Sequence, residues 1–217
     1  LVVAPHPDDE TLGCGGTILK HIRAGDEVHW LVVTNITAEE WGGDKVKIRQ
    51  VEIKKVSQMY QFKSTNNLNL PAAKLDSILM SDIVGKVSKV IQKIQPRVVY
   101  INNYSDVHTD HQITFKAVIS ATKSFRHPYI EKILMYETLS ETEFYPKLGG
   151  ISFQPNIFVD ITDFFSIKCQ IMKEYGSEVM DSPYPRSIDT IESLARYRGA
   201  RIGEKYAEAF QLIHEKL

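Results

Sequence analysis

The stretch Leu1-Val2-Val3-Ala4-Pro5-His6-Pro7-Asp8-Asp9-Glu10-Thr11-Leu12-Gly13-Cys14-Gly15-Gly16 changes character twice within sixteen residues. Its first four residues are apolar and read as a strand buried on both faces. A His, two prolines and three consecutive acids break that run, and a Gly-rich helix start follows. A strand that passes through a polar turn into a helix is the opening unit of an alternating α/β chain. In open parallel sheets ligands bind outside the carboxyl ends of the strands, where this turn emerges. Three adjacent acids repel one another unless a cation or a helix N-terminus compensates, so the turn reads as a site, with N-capping by Asp8 or Asp9 as the structural alternative.

Working outward, the alternation continues. Further strands are predicted at Val28 to Thr34, Arg97 to Asn102, Ile133 to Glu137 and Ile157 to Ile161. Helices are predicted at Gly15 to Ala24, Lys45 to Tyr60, Ser77 to Ile94, Asp110 to Ser124, Thr162 to Tyr175 and Ile188 to Arg198. Gly25-Asp26 and Gln95-Pro96 punctuate two of them. The class is α/β with a mainly parallel sheet covered by helices. The chain shows no repeat or linker-like composition shift, and one domain over residues 1–217 is expected. Two loops read as rims of a ligand site: the one around Trp41, and the segment from Ser140 to Asn156 with Gly149, Gly150 and several aromatics.

With 217 residues, 43% hydrophobic and 24% charged, the chain is long enough to bury a sizeable core. A net charge of −1 provides no long-range field for nucleic acid or an anionic membrane, which leaves a small molecule as the expected partner. No apolar run is long enough to span a bilayer. Two widely separated cysteines, Cys14 and Cys169, fit a reducing compartment, and the cytoplasm is the expected location. The chain opens without Met on an apolar run, so a truncated first strand is expected.

Zinc takes imidazole nitrogen and carboxylate oxygen, and a hydrolytic site keeps three protein ligands and one open position. His6 and Asp9 can supply two. A third imidazole is expected from another strand end, and Val107-His108-Thr109-Asp110-His111 follows the strand ending at Asn102. His108 and His111, three apart at a helix start, project toward one side. His21, His29, His127 and His214 lie away from both strand ends and read as ordinary histidines. Cys14 reads as a packing residue, Glu10 as structural support for the turn, and Asp106 as a partner for His108 or His111.

His6-Pro7-Asp8-Asp9-Glu10 and Asp106-Val107-His108-Thr109-Asp110-His111 together resemble the paired signatures of the PIG-L/LmbE superfamily of zinc-dependent N-deacetylases. Arg49-Gln50-Val51-Glu52 resembles that family's Arg-x-x-Glu helix, and Ala195-Arg196-Tyr197-Arg198-Gly199 with Gly203, Tyr206 and Glu208-Ala209-Phe210 resembles its C-terminal segment. The resemblance implies a Rossmann-like three-layer fold. It implies removal of acetyl from an N-acetylated amino sugar, an N-acetylglucosaminyl compound above all, by zinc-activated water. It makes His6, Asp9 and His111 the metal ligands of Zn2+ or another divalent transition metal such as Fe2+. Asp8 becomes the general base, His108 as imidazolium the partner of the oxyanion, and Asp110 the group that holds the His108 ring. Arg49 is implied to meet polar or anionic parts of the substrate; read from the residues alone, it equally pairs with Glu52 on the same helix face, and Trp41 on its flexible loop is a candidate to cap the ligand. Homo-oligomers, trimers or hexamers, are also implied.

Two other functions share some of these features. Adjacent acids after a first strand also serve magnesium-dependent phosphotransfer, but magnesium prefers all-oxygen ligands, which the two imidazoles contradict. A sugar-binding module without activity has no need for the complete set of His6, Asp8, Asp9, His108 and His111.

Overall fold

A computed structural model describes residues 1–146 and 152–217, which leaves the expected rim glycines Gly149 and Gly150 outside the described residues. The elements in chain order are β1 (Val2–Ala4), α1 (Asp9–Arg23), β2 (His29–Asn35), α2 (Ala38–Trp41), α3 (Gly43–Tyr60) and β3 (Ser64–Pro71). A 3-10 turn at Leu75–Ser77 leads to α4 (Met80–Ile94), β4 (Val98–Asn102), α5 (Thr109–Ala121) and β5 (Lys132–Tyr136). The chain closes with β6 (Ile157–Asp160), α6 (Phe165–Met172), α7 (Ile188–Ala200) and β7 (Ala207–Glu215).

The strands form one seven-stranded sheet in the order β3-β2-β1-β4-β5-β7-β6. The first five in that order pair in parallel, and β7 runs antiparallel to β5 and β6. Alternation along each strand divides the core into two layers. Val2, Ala4, Trp30 and Val32 face the side covered by α1, α6 and α7, where Ile18, Phe165, Met172 and Ile191 pack. Leu1, Val3, Leu31 and Val33 face α4 and α5, which supply Ile83, Val87, Ile91, Ala117 and Val118. The expected α/β class and its three layers are therefore present. No helix of the described residues is long and apolar enough to cross a membrane.

The sheet order positions the site. From β1 the chain passes through α1 to β2 on one side, and after β3 it returns through α4 to β4 on the other. The loops leaving β1 and β4 diverge, which opens a crevice at their carboxyl ends.

Two strands were not among those expected. Ser64–Pro71 carries three asparagines, which are depleted in strands, and it survives as an edge strand paired only with β2. Ala207–Glu215 opens Ala-Glu-Ala, a helix-favouring composition, and its pairing with β5 and β6 overrides that preference. The first helix also starts earlier than Gly15, at Asp9, with non-helical geometry at Cys14. This break lies where α1 presses on the sheet: a Cβ on Gly13 would sit 2.1 Å from Tyr136 Cδ2.

The N–H groups of Gly16 and Thr17 follow this break. The buried Glu208 carboxylate of β7 accepts both, at 2.8 and 2.7 Å, and Lys168 Nζ donates to Glu208 at 2.7 Å and to Leu12 O at 2.9 Å. Lys168→Met removes the cation paired with a buried carboxylate, an event that costs about 3–5 kcal/mol. Urea denaturation is expected to register that loss, and a change under about 1 kcal/mol, the scale of an exposed pair, would show the ion pair to be dispensable.

Candidate metal centre

The turn after β1 is built around backbone strain at Asp8, whose φ is 130°. A non-glycine residue held there costs on the order of 1–3 kcal/mol. Asp8 occupies the N-cap position of α1, yet its side chain makes no capping hydrogen bond. The carboxylate instead lies 3.4 Å from Arg186 Nη1 at the wall of a cavity. Glu10 stabilises the strained turn: its Oε2 accepts the Asp8 N–H at 3.2 Å, and its Oε1 accepts hydroxyls from Thr11 and Tyr175 at 2.6 and 2.7 Å. Asp9 Oδ2 accepts the His6 N–H at 2.8 Å, which folds its carboxylate back beneath the imidazole.

Three donor atoms meet at the crevice. His111 Nε2 lies 3.3 Å from Asp9 Oδ2, His6 Nδ1 lies 3.6 Å from the same oxygen, and the two nitrogens are 3.2 Å apart. Donors about 2.0–2.1 Å from a tetrahedral zinc lie roughly 3.3 Å from one another, so the triangle has the dimensions of one coordination face. The far side of each imidazole is held by an acid. Asp106 Oδ2 takes the His111 Nδ1–H at 2.8 Å, and Asp110 Oδ2 takes the His6 Nε2–H at 3.1 Å. Both tautomers thereby point a lone pair into the triangle, as outer partners of metal-bound histidines do. The residues fit a divalent transition metal. Losing such an outer partner typically costs about 10–100-fold in metal affinity, and Asp106→Asn is expected to weaken zinc binding by that factor in a competition titration.

The electrostatics follow from burial and proximity. Burial alone would lower the pKa of His6, but hydrogen bonds to Asp110 and Asp9 outweigh it and hold the group at about 9. Burial would raise Asp9, but His111 and His6 more than reverse this and keep it ionised. Asp8 goes the other way: burial and then the Asp9 charge push it up to about 7, against the pull of Arg186 and Arg49.

His108 and Asp110 differ from the sequence reading. Asp110 holds the His108 ring through its backbone N–H, while its carboxylate serves His6 and accepts the N–H groups of Ala73 and Leu75 at 2.6 and 3.1 Å. His108 is the N-cap of α5, and its Nδ1 accepts the Asp110 N–H at 3.1 Å. That bond requires an unprotonated Nδ1 and leaves Nε2 as the N–H donor. Burial and the positive charge at His6 and His111 push the pKa of His108 down to about 4. The ring in that hydrogen bond is neutral. The other histidines lie elsewhere: His21 binds Asp26 and Tyr100, His29 binds Ser64, and His127 binds Tyr129.

A cavity of about 300 Å³ opens beside the triangle, lined by His6, Asp8, Asp9, His108, Trp41 and Arg49 among others. Arg49 is buried; it donates to Pro7 O at 2.9 Å, pairs with Glu178, and lies 3.5 Å from Glu52. Ser140 and Glu141 place the start of the predicted rim segment on the same cavity. Arg186 and Glu178, which line it too, were not singled out from the sequence. Each lies in a segment between α6 and α7 with no motif of its own, and only the fold carries it to residue 8. Cys14 and Cys169 are both buried and free.

A crevice at the switch point of a parallel sheet, where two imidazoles and a carboxylate meet beside a further acid, could hold a divalent metal. The chain belongs to the PIG-L family, described as GlcNAc-PI de-N-acetylase, whose model matches residues 1–122. It is 25% identical over 221 residues to diacetylchitobiose deacetylase of Thermococcus kodakarensis, covering 98% of this chain and 82% of the relative. It is also 25% identical over 187 residues to a probable N-acetyl-alpha-D-glucosaminyl L-malate deacetylase 2 of Bacillus cereus, covering 82% of each. The structure of N,N'-diacetylchitobiose deacetylase from Pyrococcus horikoshii, complexed with its inhibitor MPG, superposes with a TM-score of 0.79 at 24% identity, covering 98% of this chain and 82% of that one.

Proposed function

We propose that this chain is a zinc-dependent hydrolase that removes acetyl from the nitrogen of an N-acetylated amino sugar, with an N-acetylglucosaminyl compound as its substrate. The observation that carries the reading is the His6, Asp9 and His111 triangle, with Asp8 and His108 beside it on one cavity. Relatives named as deacetylases of diacetylchitobiose and of an N-acetylglucosaminyl malate support the reaction and the sugar class. Two imidazoles among three donors favour zinc or ferrous iron over magnesium.

When bound, such an ion acidifies a water and polarises a carbonyl. Asp8, held by the strained turn on the cavity wall and making no capping bond, accepts the proton of the attacking water. The Nε2–H of His108 donates to the oxygen on which negative charge develops, and the N-cap bond at Nδ1 holds the ring in that tautomer. Protonated Asp8 then returns its proton to the departing amine. Trp41 and Arg49 border the space in which the sugar lies. Free, buried Cys14 and Cys169 suit a reducing, cytoplasmic setting.

The test is acetate release from a panel of N-acetylated sugars and non-sugar amides, with the protein stripped and then reloaded with zinc, ferrous iron or magnesium. Release from amino sugars that returns with zinc or iron is expected. Activity confined to non-sugar amides, or restored only by magnesium, would contradict the reading.

A further inference from the structure

The peptide unit between Pro7 and Asp8 is held on both sides by charged side chains. Its carbonyl accepts from Arg49 Nη1 at 2.9 Å, and its N–H donates to Glu10 Oε2 at 3.2 Å. A non-glycine residue at the φ of 130° found at Asp8 persists only where its surroundings fix it, and two opposed bonds to one peptide plane do so. The side chain is held separately. Asp8 Oδ2 lies 3.4 Å from Arg186 Nη1, whereas Oδ1 makes no hydrogen bond among the described residues. Glu178 joins the two arginines: one of its oxygens pairs with Arg49, and the other accepts from Arg186 Nη1 at 2.8 Å. Arg49, Glu178 and Arg186 therefore form a ring that starts at Pro7 O and closes on the Asp8 carboxylate. Arg49 has little left for a ligand, being 7% exposed with Nη1 and Nη2 both engaged and Nε 3.5 Å from Glu52.

Resting on the deacetylase reading above, in which Asp8 is the base, we infer that Arg49, Glu178 and Arg186 are positioning residues that clamp Asp8, fixing its backbone and one carboxylate oxygen so that the other is left for the attacking water. Arg49 then acts through Asp8 rather than on the substrate.

Arg186→Met cuts the ring at a side chain that is 23% exposed. In the zinc-loaded protein, kcat for an N-acetylated amino sugar is expected to fall about 10–100-fold, with KM and metal content nearly unchanged. Both contacts of Arg186 come from one nitrogen, which an ammonium can replace, so Arg186→Lys is expected to restore most of kcat. The three nitrogens of Arg49 meet oxygens of three different residues, which lysine cannot copy, and Arg49→Lys is expected to lower kcat while KM holds. Crystal structures, which need no turnover, are expected to show the Asp8 carboxylate displaced by about 1 Å in Arg186→Met and back in place in Arg186→Lys. Unchanged kcat or an unmoved carboxylate in Arg186→Met overturns the clamp, as does a loss that lysine fails to restore. A raised KM with kcat intact in Arg49→Lys also overturns it, by giving Arg49 to the substrate. Absence of acetate release by the unsubstituted protein overturns the deacetylase reading instead, and the position of Asp8 in the crystals still decides the clamp.

Discussion

Replacing His111 with alanine is expected to remove the metal and the activity together. The residue is buried, contributes one corner of the donor triangle, and is held by Asp106 on its other nitrogen, so no neighbour can take its place. Two remaining donors do not make a three-ligand hydrolytic site. Metal content by mass spectrometry is expected to fall from about one ion per chain to background, and zinc affinity to fall by well over the ~100-fold that loss of an outer partner costs. Because removal of a buried side chain also weakens packing, His6→Ala serves as a second variant; its side chain is 23% exposed. Either protein, folded and metal-replete at wild-type affinity, would remove His111 or His6 from the ligand set.

Asp8→Asn is expected to separate the two functions that the His111 variant loses at once. Asparagine tolerates positive φ at least as well as aspartate, so the strained turn and the adjacent proposed ligand Asp9 are expected to stay in place and metal content to be unchanged. What disappears is the proton acceptor. A positioned general base contributes about 10²–10⁴-fold, so kcat is expected to drop by that factor, equivalent to about 3–5 kcal/mol of transition-state stabilisation. KM is expected to change far less, because Asp8 acts on the water rather than on the resting substrate. Near wild-type turnover in the zinc-loaded variant would transfer the base role elsewhere, with Glu141 on the same cavity the next group to examine.

The local sequence determined a good deal about this protein. Apolar runs alternating with amphipathic ones specified α/β, and each signature sat directly after such a run, so the crevice residues His6, Asp8, Asp9, His108 and His111 were legible without coordinates. The break in α1 was legible in part, since the Gly-rich turn separated the acids from the helix expected after it. Edge strand β3 and antiparallel β7 were not. Asparagines in one and an Ala-Glu-Ala start in the other give no strand preference, and only their neighbours in the sheet make them strands.

The tertiary structure alone decided how the charged groups pair. The family resemblance implied that Asp110 served His108, its neighbour but one, whereas the turn into α5 aims that carboxylate at His6, 104 residues away. Arg186 reaches Asp8 across 178 residues, and Glu178 reaches Arg49 across 129. Sequence periodicity reports which side chains share a face of one element, because that depends only on local backbone geometry. Which faces then meet depends on the order in which the crossovers return each strand to the sheet, and here that order brought Arg49 and Arg186, both paired with Glu178, to the wall of the cavity beside the donor triangle.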